Sequence, residues 1–431
     1  MHAFQYHPKM TNLVSLLGCF GILFAMCYVA SASSLAVSSA LFIFGDSTVD
    51  PGNNNHMETI PENRADYKPY GQNGFFEGPT GRFSDGRVIV DFIAEYAKLP
   101  IIPPFRQPSA KYTKGVNFAS GGAGILSETN QGLVTDLKTQ LKNFEDVQKS
   151  LTENLGDEQA KKLISEAVYF FSIGSNDYMG GYLGNPKMQQ DYNPEQYVDM
   201  VIGNLTKAIQ SLYEKGGRKF GFLSLSPLGC LPALRILNPK ASQEERRCFE
   251  GASELALAHN NALKAVLTSL EYLLKGFKYC NSNFYNWLQD RINNPSKYVP
   301  IRTIQMSGFW QFTGSKSYCD ARDDLEKRTV YEGFKEGVNA CCGTGPYRGI
   351  YTCGGKKEVT DYELCDNAED YVWWDSFHPT ERIHEHFAKA LWNGPPLSVG
   401  PYNLKDLFFN NEMKLTIADV VDNPHSNHFQ F

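Results

Sequence analysis

The chain has 431 residues, with 41 Lys and Arg against 47 Asp and Glu, for a formal charge of −6. Hydrophobic residues make up 42% of it, enough for a sizeable core. No basic block stands out, which argues against nucleic acid or an anionic membrane surface as partner.

The N-terminus carries one cation, Lys9, then an apolar stretch from Leu13 to Ala30 and a small-residue site at Ala30-Ser31-Ala32. That is the layout of a secretory signal peptide over residues 1–32, and it predicts an extracellular protein. The stretch is close to the shortest that spans a bilayer, so an N-terminal anchor is the competing reading. No other apolar run is long enough to span, and no stable membrane insertion is expected once the leader is removed.

Beyond the leader, strands are read at Leu41–Phe44, Gly115–Phe118, Ala167–Ser172 and Phe220–Leu225, with a weaker fifth at Phe277–Tyr279. Amphipathic helices alternate with them. Val88–Leu99 and Leu137–Leu151 carry apolar stripes, Asn193-Pro194 opens a helix that ends at Gly216-Gly217, Leu255–Leu274 stops at Gly276, and Thr380–Asn393 is the last. This alternation implies an α/β domain with a mostly parallel sheet covered on both faces and its site at the carboxyl ends of the strands. No linker or repeat divides it, so one domain over 33–407 is expected, followed by a poorly structured tail, 408–431.

The chemistry-bearing residues fall at those strand ends. Gly45-Asp46-Ser47 follows the first strand, Gly121-Gly122 the second and Gly174-Ser175-Asn176-Asp177 the third, while Asp375 and His378 lie in DSFHPT near the end of the chain. A serine needs an imidazole to take its proton, and the imidazole needs a carboxylate to fix its tautomer. Ser47, His378 and Asp375 supply those three parts. Ser47 alone reads as an ordinary turn residue, and Asn176-Asp177 reads equally as a helix cap. The glycine cluster lacks the Lys-Ser/Thr of a phosphate loop. Asp46 and Asp50 are better explained as turn and loop residues than as a glycosidase pair. His259 reads as a hydrogen-bonded core histidine, and His384 and His386 lie on different sides of their helix, so no metal site and no cofactor is expected.

Cysteine usage agrees with export. Cys19 and Cys27 fall in the leader, leaving Cys230, Cys248, Cys280, Cys319, Cys341, Cys342, Cys353 and Cys365. Adjacent cysteines suit one tetrahedral zinc poorly, and an oxidising compartment favours disulfides. Cys230 with Cys248, and the 341/342 pair with Cys353 and Cys365, are the shortest-range choices. One glycosylation sequon occurs, at Asn204, on a helix and about a quarter-turn from the centre of its apolar stripe.

Four blocks, FIFGDSTVDPGNNN, GVNFASGGAGIL, FFSIGSNDY and DSFHPT, resemble in this order those of the plant GDSL esterase/lipases of the SGNH hydrolase superfamily, closest to the secreted, defence-associated members. The resemblance runs from about Ala40 to about Leu407. It implies a three-layer α/β/α sandwich of flavodoxin-like type on the five strands. It also implies an esterase or lipase acting on small-molecule or lipid acyl esters in the apoplast or cell wall. By it Ser47 is the nucleophile, His378 the base and Asp375 its orienter. The oxyanion donors are Ser47 itself, a backbone N–H at Gly121 or Gly122, and the Asn176 amide. An acyltransferase on the same site, or a silent defence or binding protein, is the alternative. Two departures stand out: Thr48 follows the serine where the family usually has Leu, and Val299–Glu332 interrupts a family-like sequence, as a surface loop or translated intron.

Overall fold

The computed structural model describes residues 40–108, 111–238, 247–298, 301–303, 329–331, 333–355, 361–396 and 398–409, with 301–303 and 329–331 as backbone alone. The expected signal peptide, Cys319 and residues 410–431 of the expected tail lie outside the described residues.

The elements are β1 (Leu41–Gly45), α1 (Ile89–Tyr96), β2 (Gly115–Asn117), α2 (Leu137–Leu155), α3 (Asp157–Glu166), β3 (Val168–Ser172), α4 (Pro194–Glu214), β4 (Lys219–Phe222), α5 (Glu250–Leu273), β5 (Lys278–Ser282), α6 (Phe284–Asn293), α7 (Glu381–Asn393), β6 (Val399–Pro401) and α8 (Leu404–Phe409). The sheet order is β6-β5-β4-β3-β1-β2, parallel throughout except for β6, which runs antiparallel to β5. The five parallel strands therefore stand in the order 2-1-3-4-5, the flavodoxin-like doubly wound arrangement. α2, α4 and α5 pack together on one face, and α1, α7 and α8 on the other.

The sixth strand is a correction to the expected five. Gly400 and Pro401 weaken any strand signal, and proline is tolerated there because β6 lies at the sheet edge. The boundary at 407 also falls two residues early: α8 runs to Phe409 and buries Leu404, Leu407 and Phe408. The atypical insertion is not wholly unpaired, because Ile301–Thr303 and Thr329–Tyr331 form an antiparallel ladder.

Register explains why the strand ends are level. Phe42, Tyr169 and Phe220 face one another across β1, β3 and β4, and so do Phe44, Phe171 and Phe222. Their rings stack at 5.2–5.5 Å in two ladders, capped by Phe144 of α2. A one-residue slip would turn both ladders to the other face. The ladders thus fix where Gly45 and Ser172 end and where their loops begin.

A second, smaller core lies beside the first, formed by Ala65, Tyr70, Phe83, Trp374 and Cys341, Cys342, Cys353 and Cys365. Cys341 is bonded to Cys365 and Cys342 to Cys353, while Cys230 is bonded to Cys248. These bonds rule out the zinc alternative for the six sulfurs. Cys280 is a free buried thiol.

Candidate active site

The turn after β1 is held from three sides. A Cβ at Gly45 would lie 2.4 Å from Val49 Cγ2 and 2.5 Å from Ser172 O, so only glycine fits. The Gly45 N–H donates to Gln140 Oε1 at 2.9 Å, while Gln140 Nε2 donates to the Gly45 and Thr135 carbonyls, both at 2.8 Å. Asp46 N–H donates to Ser172 O, and Thr48 N–H to Asp46 Oδ1 at 3.0 Å. Burial pushes the Asp46 carboxyl up to about 6, against the pull of the Thr48 N–H. Thr48 thus contributes both its backbone N–H and its side chain to Asp46, and leucine would make only the first of these contacts.

Asp50, read from sequence as a loop residue, is fully buried and joins the first loop to the second. It accepts hydrogen bonds from the N–H groups of Gly52, Asn53 and Gly121, at 2.7–2.8 Å. Asn54 Nδ2 adds bonds to the Asn63 and Gly121 carbonyls. Gly121 is therefore corrected as an oxyanion donor, because its N–H is already committed to Asp50. Gly122 differs. It sits at φ +82°, where glycine is favoured, and its N–H, like that of Ser47, donates to no group among the described residues.

The third loop is tied to the second by Asp177, whose carboxylate accepts from Ile125 N–H, Leu126 N–H and Thr129 Oγ1. Asn176, next to it, donates one amide hydrogen to Ala123 O at 2.9 Å, leaving the other for the cavity that it lines. Asn176 stands at the N-cap of the helical turn Asp177–Leu183, as its alternative reading expects, but its side chain makes no cap bond.

Asp375 and His378 reach the same point from the other end of the chain. Strand 371–373 pairs with 336–340, Cys341 N–H and Cys342 N–H donate to the Trp373 and Trp374 carbonyls, and Trp374 N–H donates to His378 O at 2.7 Å. On the far side, Asp85 accepts Glu381 N–H at 2.7 Å and so caps α7. In this frame His378 Nδ1 donates to Asp375 Oδ1 at 2.8 Å, and Ser47 Oγ donates to His378 Nε2 at 2.7 Å. The tautomer follows from the acceptor-only carboxylate.

Asp375 is fully buried. Burial pushes its carboxyl up, yet the His378 charge and the bonds from His378, Tyr70 and Phe377 outweigh it and hold the group below its usual value. Tyr70 donates to Asp375 Oδ2 at 2.7 Å, and the Phe83 ring packs 4.8 Å from the imidazole of His378. Sequence reasoning missed Tyr70, Gln140 and Asp50. The three asparagines after Asp50 were a usable sign of a hydrogen-bonded loop; Tyr70 and Gln140 carried no local sign.

Ser47, Gly122, Asn176 and His378 line one cavity of about 300 Å³ whose walls include Ile60, Met179, Leu228, Leu231, Phe284 and Phe377. A proton acceptor on a serine, free N–H donors and apolar walls suit attack on an acyl carbonyl. The other histidines stand apart. His259 is buried and bonded to the Tyr178 hydroxyl, His384 Nδ1 accepts Ile89 N–H, and His386 faces Phe334. Asn204 is exposed on α4.

A doubly wound, mostly parallel sheet with these loops at the carboxyl ends of its strands is the α/β/α architecture of the SGNH hydrolases. Residues 41–391 match the family model of the GDSL-like lipase/acylhydrolases. The chain is 46% identical to GDSL esterase/lipase 5 and 45% identical to GDSL esterase/lipase 1 of Arabidopsis thaliana, over 88% and 86% of this chain and 92% and 90% of theirs. It is 44% identical to a GDSL lipase of Tanacetum cinerariifolium, over 86% of this chain and 88% of that one. The chain belongs to the GDSL esterase/lipase family and is a carboxylic ester hydrolase.

Proposed function

We propose that the protein is a secreted serine esterase or lipase that cleaves acyl esters through Ser47, His378 and Asp375 by way of an acyl-enzyme. The observation that carries this reading is the unbroken hydrogen-bond chain from Ser47 Oγ through His378 to Asp375, opening into an apolar-walled cavity. His378 Nε2 takes the hydroxyl proton as Ser47 Oγ attacks the ester carbonyl. The negative charge that develops on the carbonyl oxygen is received by the N–H groups of Ser47 and Gly122 and the second amide hydrogen of Asn176. Collapse expels the alcohol, which takes the proton from His378. Water, deprotonated by His378, then attacks the acyl group, and the acid leaves as Ser47 regains its proton.

The apolar walls suit the acyl chain of a lipid or other hydrophobic ester. The three disulfides among the described residues, two of them beside the Asp375 loop, support an oxidising, extracellular setting, and the exposed Asn204 supports glycosylation there. Replacing Ser47 by Ala tests the assignment: turnover of p-nitrophenyl butyrate should fall by about 10³- to 10⁶-fold in kcat. Retention of most activity by a pure variant would sink it. Product analysis with and without an acceptor alcohol separates hydrolysis from acyl transfer.

A further inference from the structure

We infer that Tyr70 is a positioning residue for the reaction, acting through Asp375: its hydroxyl fixes the carboxylate that orients His378. The inference rests on the Ser47–His378–Asp375 reading above. Asp375 has two oxygens and divides its partners unevenly between them. Oδ1 accepts His378 Nδ1 at 2.8 Å and the N–H groups of Phe377 and His378, both at 2.8 Å. Oδ2 accepts Tyr70 at 2.7 Å, with His378 Nδ1 farther off at 3.0 Å. Without the phenol, Oδ2 would be a buried anionic oxygen left with the longer contact to His378 Nδ1, a hydrogen that Oδ1 already shares. Such a carboxylate either rotates to share the imidazole or takes up a proton, because desolvation penalises the bare charge. Either change spoils the alignment of His378 toward Ser47.

The phenol is built to stay in place. Tyr70 is 1% exposed, and its ring meets Tyr67, Phe83 and Trp374 edge-on at 5.5–6.0 Å, inside the small core that two disulfides close. Phe83 in turn packs on His378, so one aromatic cluster holds both the donor to Asp375 and the base. The titratable groups near the dyad are Tyr67 and Tyr70 from the loop before α1, Tyr351 from the disulfide loop, Asp46 from the Ser47 turn and His384 from α7. Tyr70 donates its hydroxyl hydrogen to Asp375, and Tyr351 is hydrogen-bonded to Tyr70 in turn. Its phenol is itself pushed well above its ordinary value, by burial first and by the Asp375 charge second, so it remains a donor across the working range.

Tyr70→Phe keeps the ring and removes the hydroxyl. With p-nitrophenyl butyrate as substrate, the variant should lose about 10- to 100-fold in kcat, the worth of a hydrogen bond to a charged group, with KM nearly unchanged. The acid limb of its pH profile should move upward, since loss of the donor makes the Asp375–His378 dyad easier to protonate. Tyr213→Phe, which removes a hydroxyl bonded to Lys275 O away from the site, should leave the profile where it is. If Tyr70→Phe does not fold, 3,5-difluorotyrosine at position 70 keeps the shape and donates more strongly, and the acid limb should then move downward. A folded Tyr70→Phe with wild-type kcat and profile, or a fluorinated protein with an unmoved limb, overturns the inference. Ser47→Ala in the same assay separates the two levels: an active Ser47→Ala removes the triad reading itself, whereas an inactive one beside an unaffected Tyr70→Phe removes only the role of Tyr70.

Discussion

Asn176 gives one amide hydrogen to Ala123 O and keeps the other for the cavity, so its side chain is held before any substrate arrives. A donor fixed in this way acts on charge that develops during the reaction more than on the bound ester. Asn176→Ala should therefore lower kcat by about 10²- to 10³-fold with KM little changed, as steady-state kinetics will show. A rise confined to KM would make Asn176 a substrate-binding residue instead. The convergence of Ser47, Asn176, Asp375 and His378 was legible through the four blocks that resemble the family, since alone Ser47 reads as a turn residue and Asn176 as a cap. Tyr70 and Gln140 were not, for a physical reason: each acts across a sequence separation that no local pattern encodes. Gln140 lies on α2 among leucines and phenylalanine, and only the fold brings it against Gly45.

At the scale of elements, the parallel strands and the main helices follow from apolar runs and caps, whereas β6 and the Asp375 loop do not. The loop is short, follows Trp373 and Trp374, and takes its shape from backbone bonds to Cys341 and Cys342, which are bonded to Cys365 and Cys353. Converting Cys341 and Cys365 together to Ser should cost about 2–5 kcal/mol of stability, measured by urea denaturation. Because Cys341 N–H bonds to Trp373 O next to the reacting loop, kcat should fall even where the variant is folded. Unchanged kcat in folded double mutant would detach the disulfide from the site. Truncating a ladder residue gives a contrasting result. Phe171→Ala should lower stability by about 3–5 kcal/mol through lost packing between β1 and β4.

For the whole molecule, two sets of buried groups oppose each other in acid. Burial pushes Asp46, Asp50, Asp85 and Asp177 from 3.8 up to about 6, so between those values the folded chain holds more protons than the unfolded one, and stability rises as pH falls. Burial also pushes His259 and His384 from 6.5 down to about 3, and His386 to about 4. There the unfolded chain holds more protons, and stability drops as pH falls. The two sets oppose each other between pH 4 and 6, while below about 4 the histidines are joined by Asp375, whose carboxyl is held below its usual value, and stability is lost as pH falls. The urea midpoint should thus stay level over that window and fall beneath it. Activity should fall on acidification, because attack by Ser47 needs an unprotonated base, and it should return on neutralisation because the fold persists. A midpoint that declines steadily from pH 7 to 4 would contradict this balance.

The account turns on one atom, Ser47 Oγ, held 2.7 Å from His378 Nε2. Treatment of the native protein with a fluorophosphonate, followed by peptide mass mapping, reads that atom directly. The account predicts one adduct per chain, on Ser47, formed in step with loss of esterase activity and absent from His378→Ala under the same exposure. Complete inactivation with the adduct on another residue, or an active enzyme that Ser47 labelling leaves untouched, would contradict it.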